Sequence, residues 1–470
     1  MHDQQTDNPA LTRPRAPRGI LRAVGLAFAG RGAEVALATV VNIIIARALG
    51  PSGRGDLTTA LTAAFIIYLV AELGLRSTIT RLVAAGRATW QEGMATLSAL
   101  YLLLCAVLMP VGAWALAHYH QVAFPTIPLP VLYIALFAVP LIMFEGSVVA
   151  VLAGHQRIPE VNALRVLEKV CVLIGLIGLV VAAQTGLIGA MIASVSGFAV
   201  GIALGFAMLL RLPGGRPRPR FDLLPEIIRF SAMLYISNLA MSLNYRLDAL
   251  LVFFLLGSAP AGLYAIAVTI GEMMLYLPDT VSTVLYPSVS GDVANATPRT
   301  TGLTRLLIVL LIVGALLLIL IGLPLIRLAF GDRFAPSYQA MVLLLPGMVA
   351  MGLARVLAAD ITGRGYPQYG AISAWVTLVV TVLLDFLLIP RALALPGFPL
   401  LQGLGWGING AAVASSAAYT VSLIVLTIAY RRLTGIRLRD LFLPRLAEFT
   451  GIAGRLRSLA SRGRQPGATQ

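Results

Sequence analysis

The side chains best placed to do chemistry in this chain are charged and aromatic residues set inside long apolar stretches. Arg246 follows Asn238 and Ser242 at four-residue spacing, so on a continuous helix the three share one face. Tyr264, Glu272, Tyr276 and Asp279 make a second stripe at spacings of eight, four and three. Arg31, Glu34 and Asn42 lie on a third apolar segment, and Glu145 and Arg355 on two others. An ionisable group inside a membrane helix is costly and usually faces a bundle interior or a water-filled cavity. Arginine keeps its charge and binds two phosphate oxygens at once through its planar fork. The carboxylates of Glu34, Glu272, Asp279 and Glu145 suit uptake of H+ or Na+, and Tyr264 and Tyr276 offer ring faces for stacking on a ligand. This is the chemistry of recognition and ion coupling. Structural alternatives stand beside it: Arg246 snorkelling to an interface, the two tyrosines as packing residues, and Glu72 with Arg76 as a local pair four residues apart. Asp248 falls on a different face from Arg246 and points to a contact with a neighbouring helix.

Bond-making chemistry has no comparable signal. There is no nucleophile elbow, no metal-ligand spacing and no His/Asp/Glu cluster, so no enzyme activity, metal or cofactor is expected beyond a coupling ion. His118, His120 and His155 fall in connections. Cys105 and Cys171 are isolated in apolar stretches, as small packing residues are.

The elements that must position these side chains follow from composition. Of 470 residues, 58% are hydrophobic and 12% charged, and the mean hydropathy is +0.88. That balance excludes a soluble domain. About twelve apolar stretches, near 24–48, 57–80, 92–117, 129–153, 162–183, 187–210, 227–256, 262–287, 304–329, 337–360, 369–390 and 407–430, are each long enough to cross a bilayer as a helix. The net charge of +15 does not mark a nucleic-acid binder, because the basic residues lie between apolar segments and at the termini. They concentrate in alternate connections: Arg81 and Arg87; Arg157, Arg165 and Lys169; Arg211 to Arg220; Arg299 and Arg305; and Arg364. Arg54, Arg333 and Arg391 are exceptions. Positive residues mark the cytoplasmic side, so both termini are expected there. Residues 1–23 read as a disordered leader. In the basic tail, 432–470, the segment Leu441–Gly463 has the spacing of an amphipathic helix lying on anionic lipid, with docking to a partner as the alternative.

The second half of the chain repeats the first. Leu49, Gly50 and Gly55 match Leu256, Gly257 and Gly262 at a constant offset of 207, and the same offset sets Glu72 opposite Asp279. GLIGAMIAS (186–194) pairs with GINGAAVAS (407–415), and AGHQRIP (153–159) with TGRGYP (362–367). Equating Gly154 with Gly363 sets Gly146 opposite Arg355. Two six-helix halves of the same orientation are expected, at 24–211 and 226–431, joined by a cytoplasmic linker at 212–225. Such repeats are a recurring plan for alternating-access carriers.

These residues also carry a resemblance. A first helix ending in A-R-x-L-G-P-x-G-x-G, followed by AELGLRSTITRLVA (71–84) and, opening the second half, YRLDALLVFFLLGSAPAGLYAIA (245–267), resembles the polysaccharide transporter branch of the multidrug/oligosaccharidyl-lipid/polysaccharide (MOP) flippase superfamily. The resemblance implies an all-α integral membrane protein with a V-shaped pair of pseudo-symmetric six-helix bundles. It implies a flippase that carries a polyprenyl diphosphate-linked glycan across the bacterial inner membrane for lipopolysaccharide or exopolysaccharide biosynthesis, beside a glycan polymerase and glycosyltransferases. Arg246, Arg355, Arg31, Asn42, Asn238 and Ser242 would then meet the head group. Lipid II flippases of the superfamily typically have fourteen helices and a basic pair in helix 1. Twelve stretches, and Val41 and Asn42 in place of that pair, argue against lipid II. A cation-coupled multidrug antiporter is the nearest rival, and a membrane glycan polymerase or ligase a more distant one.

Overall fold

In the computed structural model, which describes residues 18–213, 215–393 and 401–443, helices dominate. The first half comprises α1 (Arg18–Glu72), α2 (Leu75–Ala84), α3 (Trp90–Ala123), α4 (Leu129–Gly154), α5 (Ile158–Gly175) with a π-helical extension (Leu176–Ala182), and α6 (Gly186–Leu209). The second comprises α7 (Leu224–Asn244), α8 (Leu247–Leu256), α9 (Ser258–Glu272), α10 (Tyr276–Gly291), α11 (Ala296–Phe330), α12 (Ser337–Gly363), α13 (Pro367–Leu388) and α14 (Gly407–Thr434), followed by the short α15 (Leu438–Phe442). Nine helices among the described residues are long and apolar enough to cross a membrane. The bend inside α1 divides one of them into two passes, and two interrupted passes, α5 with its extension and α7 with α8, complete the expected twelve. The only strands among the described residues are Ala392–Leu393 and Leu401–Gln402, an antiparallel pair.

α1 turns back on itself at one residue. Gly50 has φ 67 and ψ −175, a conformation that glycine alone adopts cheaply, and Pro51 fits the first position of the returning segment. Gly257 repeats the turn before α9, with φ 90 and ψ −175. The stretch from 49 to 56, expected as a loop, is therefore mostly helix. Arg54 lies within it, and the one-residue turn is the reason it is not a connecting residue.

Three further breaks alter the expected faces. The second pass breaks at Leu73 (φ 51) and Gly74 (φ 75). There the Glu72 carboxylate accepts from the Gly74 and Arg76 amides at 3.1 and 2.9 Å and satisfies the start of α2. α7 ends at Asn244, and Arg246, with φ −128, caps α8, so Asn238, Ser242 and Arg246 do not lie on one uninterrupted helical face. A 3-10 turn at Met273–Leu275 separates α9 from α10. Across it Tyr264 is 0% and Tyr276 40% exposed, which splits the second stripe.

The halves meet at two ends. At the Gly50–Gly257 end, Asp56 accepts hydrogen bonds from Ser258 and Thr126 at 2.5 and 2.9 Å, and Arg47 donates to the carbonyls of Leu328 and Ala329 at the end of α11. At the opposite end, the hydroxyls of Thr78 and Ser231 lie 2.6 Å apart. Arg81 and Arg87 donate to Glu226 there at 2.6 and 2.7 Å. The linker packs along the start of α3, where Arg220 and Gly215 amides donate to Thr96 and Gln91. Leu441 of α15 is buried with Leu357, Leu426 and Tyr430. Residues 18–23, expected within the disordered leader 1–23, are instead the start of α1, which runs on without a break into the first apolar stretch. Residues 1–17 of that leader, the rest of the amphipathic tail segment, and the side chains of Arg31 and Asn238 lie outside the described residues.

Candidate functional site

Two cavities lie beside the break between α7 and α8. The first, about 350 Å³, is set in the first half and lined by Asn42, Arg54, Glu168, Lys169, Ser194 and Arg246 among others. Arg54 is 9% exposed and donates to the Asn42 side-chain oxygen at 2.6 Å. Asn42 in turn donates to the Ala38 carbonyl at 2.9 Å, which fixes its amide with the oxygen toward the arginine. Lys169 pairs with Glu168 at 2.8 Å. Arg246 reaches in from the second half, its guanidinium 5.4 Å from the centre of the Phe65 ring. Among the described residues no carboxylate lies within ion-pair distance of Arg54 or Arg246. The lining among the described residues thus holds three cations and one carboxylate, and two of the cations, Arg54 and Arg246, have no ion-pair partner; Glu272 and Asp248 act on Arg246 only from a longer distance.

The second cavity, about 560 Å³, is set in the second half toward the Thr362–Pro367 turn. Arg355 and Asp279 line it and form an ion pair. Arg355 also donates to the Tyr245 hydroxyl at 2.7 Å and lies 5.2 Å from that ring's centre. One cation and one carboxylate leave this lining neutral. Tyr245 and Arg246 are consecutive yet line different cavities.

The ion pair has a counterpart in the first half. Glu72 and Arg76 pair at 3.3 Å, as their spacing suggests, and Arg76 lies 5.3 Å from the centre of the Tyr68 ring. Glu72 and Asp279 are repeat-related acids, but their arginines come from different helices. A Cβ at Gly146 would stand 2.8 Å from the Arg76 guanidinium. The first half has glycine where the repeat sets Arg355, because a neighbouring arginine fills that space.

The other expected residues are dispersed. Tyr264 is wholly buried, donating to Asp248 at 2.8 Å beside Ser415, so Asp248 does contact neighbouring helices. Tyr276 is exposed, Glu34, Ser242 and Glu272 are half-buried, and none of these lines either cavity. Glu145 packs against Gly201. Three residues escaped the sequence reading. Arg54 and Lys169 were counted with the connections, although glycines flank Arg54 on both sides, a sign of close packing. Asp385 sits in an apolar run of α13, where the rule that singled out Glu272 applies equally. It is 0% exposed, neither carboxylate oxygen has a hydrogen-bond partner among the described residues, and it lies within electrostatic reach of Asp248.

Two repeat-related halves of six passes, joined at both ends, define the MOP-superfamily fold. Three solved structures share it: the lipid II flippase MurJ in an inward closed conformation (14% identity, 88% of this chain and 89% of that one covered, TM-score 0.73), an inward-facing multidrug resistance MATE family transporter (15%, 85% and 94%, 0.67), and a MOP superfamily transporter from Pyrococcus furiosus (13%, 88% and 95%, 0.59). The family model described as polysaccharide biosynthesis protein matches residues 20–291, and the chain belongs to that family. No curated protein sequence matches it.

Proposed function

We propose that this multi-pass membrane protein is a flippase that moves a polyprenyl diphosphate-linked oligosaccharide across the cytoplasmic membrane of a bacterium, supplying cell-surface polysaccharide synthesis. The observation that carries the proposal is the cationic cavity of the first half. Arg54 and Arg246 have no ion-pair partner there, and one comes from each half. A diphosphate stripped of water needs charge-assisted donors in fixed geometry, and two guanidinium forks supply them. Because Arg246 belongs to the second half, a head group bound to both arginines ties its own position to the relative placement of the halves. A cavity with three cations and one carboxylate repels a cationic drug, which weighs against the multidrug reading. Membership of a polysaccharide biosynthesis family supports the glycan, and the fold supports a carrier.

In this reading both termini are cytoplasmic, the basic tail rests on anionic lipid, and glycosyltransferases and a polymerase act before and after transport. A H+ or Na+ gradient resets the empty carrier, with Asp385 and Asp248 joining Glu34 and Glu272 as coupling candidates. The test is glycan export together with binding of farnesyl diphosphate to purified protein in nanodiscs. Arg54→Ala and Arg246→Ala should each abolish export and weaken binding about tenfold or more, the scale of one lost charge-assisted bond, with normal membrane insertion. Arg→Lys should rescue poorly, since a point charge lacks the fork. Full export by the double Ala variant would refute the proposal.

A further inference from the structure

The second cavity differs from the first in chemistry as well as place. Its only charged residues among those described, Arg355 and Asp279, neutralise each other, so it offers no net attraction to a dianion. An ion pair instead presents donors and acceptors side by side. Vicinal hydroxyls, each both donor and acceptor, match that pattern. Three polar atoms of lining residues lack any hydrogen-bond partner among the described residues: the Asn244 side-chain oxygen, the Ser282 hydroxyl and Arg355 Nε. Leaving such atoms unpaired costs about 1–3 kcal/mol each, a cost that a hydroxyl-rich ligand relieves once side chains turn toward it. Tyr286, 47% exposed, offers a ring face for the C–H side of a sugar. The volume falls in the ordinary range for a small-molecule site.

Position connects the two cavities. Tyr245 lines the neutral one and Arg246 the cationic one, so adjacent residues of one chain segment face both. A ligand with an anionic group covalently joined to a neutral polyol has that same division.

Resting on the flippase reading above, we propose that the second-half cavity is a saccharide subsite, in which the Arg355–Asp279 pair, Asn244 and Ser282 hold the first sugars while the diphosphate sits on Arg54 and Arg246. Arg355 is then a sugar ligand, not a diphosphate ligand. The subsite makes the carrier selective for glycosylated over bare lipid diphosphate.

The test compares farnesyl diphosphate with farnesyl diphosphates bearing glucose, galactose or N-acetylglucosamine, bound to the full chain in nanodiscs. At least one sugar should raise affinity about tenfold, the scale of one or two well-made hydrogen bonds. Ser282→Trp, which fills the cavity, should erase that gain and leave farnesyl diphosphate binding within about twofold. If Ser282→Trp does not fold, Thr283→Cys decides: the glycosylated probe, and not farnesyl diphosphate, should protect its thiol from maleimide. Equal affinity for all four probes, or protection by farnesyl diphosphate alone, would overturn the subsite and leave the diphosphate reading standing. Failure of every probe to bind would overturn both. Binding of tetraphenylphosphonium that Ser282→Trp abolishes would replace the saccharide with a lipophilic cation.

Discussion

Gly55 and Gly262, related by the internal repeat, pack against each other's helices reciprocally. A Cβ on Gly55 would overlap the Ser258 carbonyl oxygen, and a Cβ on Gly262 would overlap the Pro51 carbonyl oxygen. Pro51 and Ser258 are themselves separated by the same offset of 207 as the glycines. The contact is therefore two-fold within one chain, as an isologous interface is between two subunits. Each half presents the same one-residue turn and the same glycine to the other. This closes one end of the molecule with backbone against backbone.

Closure there should fail when either glycine gains a methyl group. Overpacking a tight contact costs about 1–3 kcal/mol, and here the obstacle is backbone that cannot rotate away. Gly55→Ala and Gly262→Ala should each make a cysteine at Ser258, buried in the native protein, reactive toward maleimide. The double variant should add little, since both open one contact. Unchanged protection of that cysteine in both single variants would show that the end opens and closes by other residues.

The opposite end should be sensitive to acid. Arg87 first, then Arg81, hold the Glu226 carboxyl below its usual range. A depressed folded value means that the contact contributes fully above the ordinary carboxylate pKa and is lost as pH falls through the lowered one. All three side chains are solvated, so salt should weaken the contact as well. Acidification to below the ordinary carboxylate range should loosen this end, read as faster maleimide labelling of a cysteine at Thr78. Glu226→Gln should label fast at every pH. A wild-type rate that ignores both pH and salt would count against the latch.

How much of this was legible in the sequence depends on scale. Hydropathy and the repeat predict twelve passes in two halves because membrane helices must satisfy their backbone internally and present apolar side chains to lipid along their whole length. The offset of 207 pairs Gly50 with Gly257, and the structure makes both of them turn residues. The site was less legible because helical faces were projected across breaks. Arg246 and Ser242 are four apart, yet the register ends at Asn244, and nothing apolar or polar in that run marks the stop. Arg355 and Asp279 were read as separate candidates, one for substrate and one for ion, and the fold makes them partners. Arg54 hid in a Gly-Pro motif that reads as a loop and is a helix start.

Orientation rests on the unequal charge of alternate connections, and the fold alters how to test it. Ser258 faces the outer side in this reading but is buried and bonded to Asp56, so a cysteine there is a poor reporter. Pro125, in the neighbouring connection, is exposed. Pro125→Cys should react with an impermeant maleimide added to intact cells, and Gly215→Cys should react only after permeabilisation. The reverse pattern would invert the cytoplasmic assignment of both termini.

Asp385 should separate ion coupling from ligand binding. A buried carboxylate with no hydrogen-bond partner is stable only if it takes up a proton or gains a cation, and either event changes the charge of the second half from within. Glu34 and Glu272 are only half-buried, and Glu272 lies within electrostatic reach of Arg246 and Arg355, so neither is as isolated as Asp385. Asp385→Asn should therefore keep farnesyl diphosphate binding and leave the unfolding temperature unchanged or higher, since it removes the cost of burying a charge. Export in that variant should no longer follow the imposed H+ or Na+ gradient. Glu34→Gln and Glu272→Gln should continue to follow it. Gradient-driven export by Asp385→Asn, with loss of coupling in Glu34→Gln or Glu272→Gln, would move the coupling site out of the helix packing and into the half-buried carboxylates.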